Sequence, residues 1–211
     1  MCIRDSRITG PLPQPPDRRE VDAASLTPAV RKDLLDLARS AIATSFVTGS
    51  RDVPAETELP EILRPQAATF VTLRGASGEL LGCIGTMEPS QAIGRDVAEH
   101  ALAAAFDDPR FPALTEEQLQ DVTIDISVLQ PMRSLPVGSY HELVSQIPPG
   151  SGVLVREGFH HATYLPSVWR EVPDAATFIA ALWRKAGLRP GSWGPNTGIW
   201  VYDVTEFGEL D

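Results

Sequence analysis

The chain has 211 residues with 43% hydrophobic and 22% charged side chains, a balance that fits a soluble globular protein with a real core and excludes a fibrous or wholly disordered chain. Its formal net charge of -10 argues against a sequence-independent grip on a phosphate backbone, so nucleic acid is not an expected partner. Two cysteines, Cys2 and Cys83, are too few for a disulfide scaffold and point to a reducing, cytoplasmic compartment, and no apolar run reaches the ~20 residues that span a bilayer.

Residues 1–22 carry four prolines and many charges without a periodic apolar face, and are read as a disordered leader to a domain over residues 23–211. Thr27 and Pro28 form a cap and first-turn signal, and Leu34, Ala38, Ala41, Ile42 and Phe46 recur at helical spacing up to Gly49. Residues 50–68 read as a loop. TFVTLR at 69–74 and LLGCIGT at 80–86 flank a turn-prone GASG segment and predict an antiparallel hairpin. Side chains alternate along a strand, so Leu81, Cys83 and Gly85 are expected on one face and Gly82 and Ile84 on the other. Glycine weakens a strand interior, and two of them around a thiol suit a place where a ligand or another backbone comes close. The competing reading is that Cys83 is simply packed, as an unbridged cysteine in a strand often is.

After Glu88 and Pro89, a second helix carries Ile93, Val97, Ala101, Ala104 and Ala105 on one stripe and must end near Asp107, because Pro109 disfavours helix at Asp108. The DDPRFP loop at 107–112 sets Arg110 beside Asp108, where it is able either to offer a planar fork to an anion or to pair with its own carboxylates. A short capped helix is expected at 115–119 and a half-buried strand at 122–129, with Val122, Ile124, Ile126 and Val128 facing inward. Further on come a short helix at 140–146, a hairpin from strands at 153–156 and 160–165, and a helix capped by Asp174 that buries Phe178, Leu182, Trp183 and Ala186. A closing strand is expected at 199–207. His160 and His161 are adjacent on a strand and point to opposite faces, so they do not make one metal site, and no metal set is read elsewhere. The element order gives an α+β class with a largely antiparallel sheet flanked by helices.

Six blocks occur in one order: FVTL (70–73), LLGCIGT (80–86), FDDPRFPALT (106–115), ISVLQP (126–131), TYLPSVW (163–169) and FIAALWRKAGL (178–188), the last followed by Trp193. Together they resemble the motif series of the AMMECR1 family, and more narrowly its bacterial members, the AmmeMemoRadiSam system protein A group. The resemblance implies a two-lobed α+β domain with a pocket between the lobes near Cys83. It also implies a role beside a Memo-like protein and a radical SAM enzyme, and names no cofactor. The family usually has arginine before Gly-Cys-Ile-Gly, whereas this chain has Leu81, so either another cation, with Arg74 and Arg110 as candidates, takes its place at the thiol or this chain lacks that function.

Two functional readings follow. In one, an enzyme uses Cys83 as nucleophile or general acid. Arg110 orients an anionic group of a small molecule or peptide, Asp108 holds Arg110, and Gly82, Gly85 and Thr86 line the substrate site, with the amides of residues 84–86 as oxyanion donors. In the other, the same surface belongs to a binding or adaptor domain and Cys83 is packing.

Overall fold

A computed structural model describes residues 21–211, so all of the expected leader except Val21 and Asp22 lies outside the described residues. Val21 is buried in the first of two cores, and its amide donates to the Gln66 carbonyl. The described residues divide into two units, one of residues 21–130 together with Thr205–Asp211, the other Pro131–Val204.

In the first unit, helix α1 (Pro28–Thr48) begins with Thr27 accepting the Val30 amide and ends at Gly49, whose φ of 70° allows the left-handed cap. The next elements are strands β1 (Ala68–Arg74) and β2 (Leu80–Gly85), helix α2 (Ile93–Phe106) and strand β3 (Thr123–Leu129). With β8 (Val204–Gly208) the three strands β1, β2 and β3 form a sheet of order β2-β1-β3-β8. Leu34, Ala38 and Ile42 of α1 and Val97, Ala101 and Ala105 of α2 pack on Val71, Leu73, Ile124, Ile126 and Val128, so the helical and strand periodicities meet in one core.

The second unit holds β4 (Arg133–Ser134), α3 (Tyr140–Gln146), β5 (Gly152–Glu157), β6 (His160–Tyr164), α4 (Ala175–Lys185) and β7 (Thr197–Tyr202). Its sheet has the order β4-β7-β5-β6. Phe178, Ile179, Leu182 and Trp183 of α4 cover Val153, Val155, Ala162 and Ile199. Trp169 stacks on Phe178 at 4.1 Å between ring centroids.

The α+β class holds, with four strands in each of two sheets where one sheet was expected. The expected closing strand is two strands, because Thr197–Tyr202 pairs with β5 while the chain after Asp203 joins β3. Alternation along 199–207 carries no mark of that change of partner. The expected helix at 115–119 is only a 3-10 turn at Gln118–Asp121, preceded by reciprocal bonds between Thr115 and Gln118. The expected loop at 50–68 includes two 3-10 turns, Glu56–Glu58 and Glu61–Leu63, the second of which buries Leu63.

Candidate functional site

Cys83 stands on β2, the edge strand of the first sheet, opposite Thr72 of β1. Both of its main-chain polar groups turn outward, away from β1. The amide donates to Asp108 Oδ2 at 2.9 Å, and the carbonyl accepts from Arg110 Nη2 at 2.9 Å. Two side chains of the loop after α2 thus supply the acceptor and the donor that a neighbouring strand would otherwise supply.

The loop is built to do this. Asp108 Oδ1 accepts the Arg110 amide at 3.1 Å, a local turn that brings Arg110 back over its own carboxylate. Arg110 Nε and Nη2 then donate to Oδ1 and Oδ2 at 2.8 and 2.6 Å, the two-point geometry that fits guanidinium to carboxylate. The Asp108 side chain is 1% exposed and that of Arg110 39%, so the pair spans from the buried sheet edge to solvent. Arg110 holds the Asp108 carboxyl down at about 2, with the Cys83 amide adding to the effect against the opposing cost of burial.

Cys83 itself is 4% exposed. Its sulfur accepts a hydrogen bond from Thr72 Oγ1 at 3.3 Å, as expected where two opposed residues exchange no ladder bonds and their side chains come close. The flanking glycines have intramolecular reasons. A Cβ at Gly82 would run into the main-chain carbonyl of Ala104 on α2, so Gly82 lets the helix lie directly on the strand. A Cβ at Gly85 would meet the Phe70 ring and the Thr69 carbonyl. Thr86 donates its amide to Thr69 O at 3.0 Å, so that amide is used within the sheet, and its hydroxyl accepts the Glu88 amide at 3.3 Å.

The structure therefore brings Cys83, Asp108 and Arg110 together and leaves Arg74 elsewhere, on Asp125 at 2.9 Å. Leu81 departs from the expected face. The register jumps from Leu73↔Gly82 to Arg74↔Leu80, which makes Leu81 the extra residue of a bulge, and it packs against the buried cluster under the helices. His160 and His161 belong to the second unit, with Nδ1 atoms 3.0 Å from Ala186 O and 3.3 Å from Phe159 O. Among the described residues, no three His, Cys, Asp or Glu side chains converge as a metal site.

Sequence reasoning passed over a second buried polar group. Asp96 Oδ2 accepts the Thr69 amide at 3.0 Å and the Thr69 hydroxyl at 2.6 Å, and His100 Nδ1 lies 3.2 Å from both that oxygen and the hydroxyl. Gln91 donates to Asp96 Oδ1 at 3.1 Å. Asp and His four residues apart, beside the apolar stripe of an alanine-rich helix, were the signal available. The hydroxyl donates to the carboxylate rather than to the imidazole, so this network ties α2 to the start of β1 and does not prime a nucleophile.

Comparison with known proteins adds to this geometry. The AMMECR1 family model matches residues 35–207. A protein of Methanothermobacter thermautotrophicus is 35% identical over 181 residues, 84% of this chain and 93% of its own. Protein NEQ441 of Nanoarchaeum equitans is 32% identical over 180 residues, 84% of this chain and 99% of its own. The crystal structure of uncharacterized protein PH0010 from Pyrococcus horikoshii superposes with a TM-score of 0.69 at 31% identity, covering 84% of this chain and 90% of that one.

Proposed function

This chain belongs to the AMMECR1 family, and from that premise we propose that it is a cytoplasmic binding and adaptor domain acting with a Memo-like protein and a radical SAM enzyme. In this reading Arg110 receives an anionic group of a small molecule or peptide, Asp108 holds it in position, and Gly82, Gly85 and Thr86 shape the strand beside it. The observation that carries the reading is the Asp108–Arg110 clamp on the Cys83 main chain. A guanidinium fixed at one end by a buried carboxylate and half exposed at the other loses little freedom on meeting an anion.

A second reading keeps Cys83 as a catalytic thiolate, and one observation favours it. Thr72 Oγ1 donates to the sulfur, an interaction that stabilises the anion. Against it stands the 4% exposure of the residue.

The two separate on Cys83→Ala and Arg110→Ala, assayed for association with the Memo-like and radical SAM proteins and for the activity of the assembled system. The adaptor reading expects Cys83→Ala to retain both and Arg110→Ala to weaken association. Loss of activity in Cys83→Ala with folding and association intact would replace it with the cysteine-enzyme reading. Iodoacetamide provides an independent check: a buried packing thiol reacts more slowly at pH 7 than a model thiol, a catalytic thiolate faster.

A further inference from the structure

The second unit contains a polar row that neither reading uses. Glu157 closes the β5–β6 hairpin opposite His160, across a two-residue turn at Gly158 and Phe159 in which Gly158 has a φ of 59°. On its other side Glu157 pairs with Thr197 of β7. Directly opposed residues of antiparallel strands share a face, so Thr197, Glu157 and His160 stand in one line across three strands. They lie on the face whose next row, Ile199, Val155 and Ala162, is covered by α4.

Each group on this row offers an acceptor atom. His160 Nδ1 lies 3.0 Å from the Ala186 carbonyl just past α4, and since a carbonyl only accepts, Nδ1 carries the proton and Nε2 of the neutral ring is an acceptor. That carbonyl also belongs to the negative end of the helix. Thr197 Oγ1 accepts the Gly194 amide at 2.9 Å. Glu157 Oε1 rests against Gly194, where a Cβ would collide with it, and Glu157 Oε2 is buried with no hydrogen-bond partner. A buried carboxylate oxygen without a donor is costly, and two nearby N–H groups are already committed elsewhere, His160 Nδ1 to the Ala186 carbonyl and the Gly194 amide to Thr197.

We propose that this row seats a primary alkylammonium group, whose N–H donors bridge Glu157 Oε2 and the neighbouring acceptors. Geometry favours an ammonium over a metal ion. Two ligands of one zinc-sized ion stand about 3 Å apart. Glu157 and His160 are not within ion-pair reach of each other, His100–Asp96 being the histidine–carboxylate pair that is close among the described residues. Donors about 2.8 Å from each acceptor bridge the wider gap. His160 is exposed, so the row meets solvent at that end, and Trp193, the residue before Gly194, stacks on Trp183.

The test is titration of the full chain with n-butylammonium, followed by amide NMR, with neutral N-butylacetamide as the control. Saturable shifts centred on His160, Gly194 and Thr197 with the ammonium alone, weakened about tenfold or more in Glu157→Gln, are expected. Absence of saturable shifts, equal shifts with the neutral amide, or an unchanged titration in Glu157→Gln would each overturn the proposal. The comparison of ammonium with amide uses the unmodified chain and stands whether or not the variant folds. Nα-acetyl-lysine methylamide distinguishes the source of the group: tighter binding than butylammonium identifies a lysine side chain of a protein, equal binding a small amine.

Discussion

Asp108 accepts the amide hydrogen of Cys83 while sharing both its oxygens with Arg110, which in turn donates to the Cys83 carbonyl. One residue of an edge strand is thus paired by two side chains instead of by another strand. A loop has taken over a strand's role at one point, and the rigidity of Arg110 and the satisfaction of the Cys83 backbone are a single arrangement.

Asp108→Ala should be costly out of proportion to its size. It removes the acceptor of a buried amide and deprives Arg110 of its partner, and a loss of about 3 kcal/mol is expected. Urea denaturation measures it as a lowered midpoint at constant slope. A loss below about 1 kcal/mol would mean that water replaces the carboxylate at the edge.

The same carboxyl sets an acid limit. Its value in the folded chain is lowered from 3.8 to about 2, so its contribution is fully present above about pH 4 and is lost as pH falls through the folded value. The shift corresponds to about 2 kcal/mol. Denaturation midpoints measured between pH 5 and pH 2 should fall more steeply in the wild type than in Asp108→Asn, which has no proton to take up at that position.

Gly82→Ala should destabilise more than Gly78→Ala, although Gly78 has the left-handed φ of 80°. Gly78 faces open space, and a side chain there costs only backbone strain, about 1 kcal/mol. At Gly82 the new carbon meets the Ala104 carbonyl, so α2 must move off the sheet at a cost of about 2 kcal/mol or more. Thermal melts of the two variants decide the order.

Asp96→Ala should be among the most damaging single changes in the first unit. Thr69 is fully buried, and both its amide and its hydroxyl lose their acceptor. A cost of about 3 kcal/mol is expected, with partial recovery in Asp96→Asn, which retains an accepting oxygen. Hydrogen exchange at the Thr69 amide reports the same loss locally.

The sequence alone carried the element types over most of the chain, because the signals are local. Thr27 and Asp174 cap the helices they were expected to cap, at the Val30 and Thr177 amides. Val122, Ile124, Ile126 and Val128 are buried as their alternation predicts, since period two leaves them one face. The order of six motifs carried the family. What was not legible depends on partners remote in the chain. The change of sheet after Asp203 depends on which strand lies alongside, the displacement of Leu81 on a bulge, and the need for Gly82 on a helix carbonyl that approaches it in space. Composition marked Cys83, Asp108 and Arg110 as candidates. Only the folding of residues 107–112 onto the edge of β2 made Asp108 and Arg110 partners of the Cys83 backbone, because hydrogen bonds between residues 25 and 27 positions apart are fixed by how the helix between them packs.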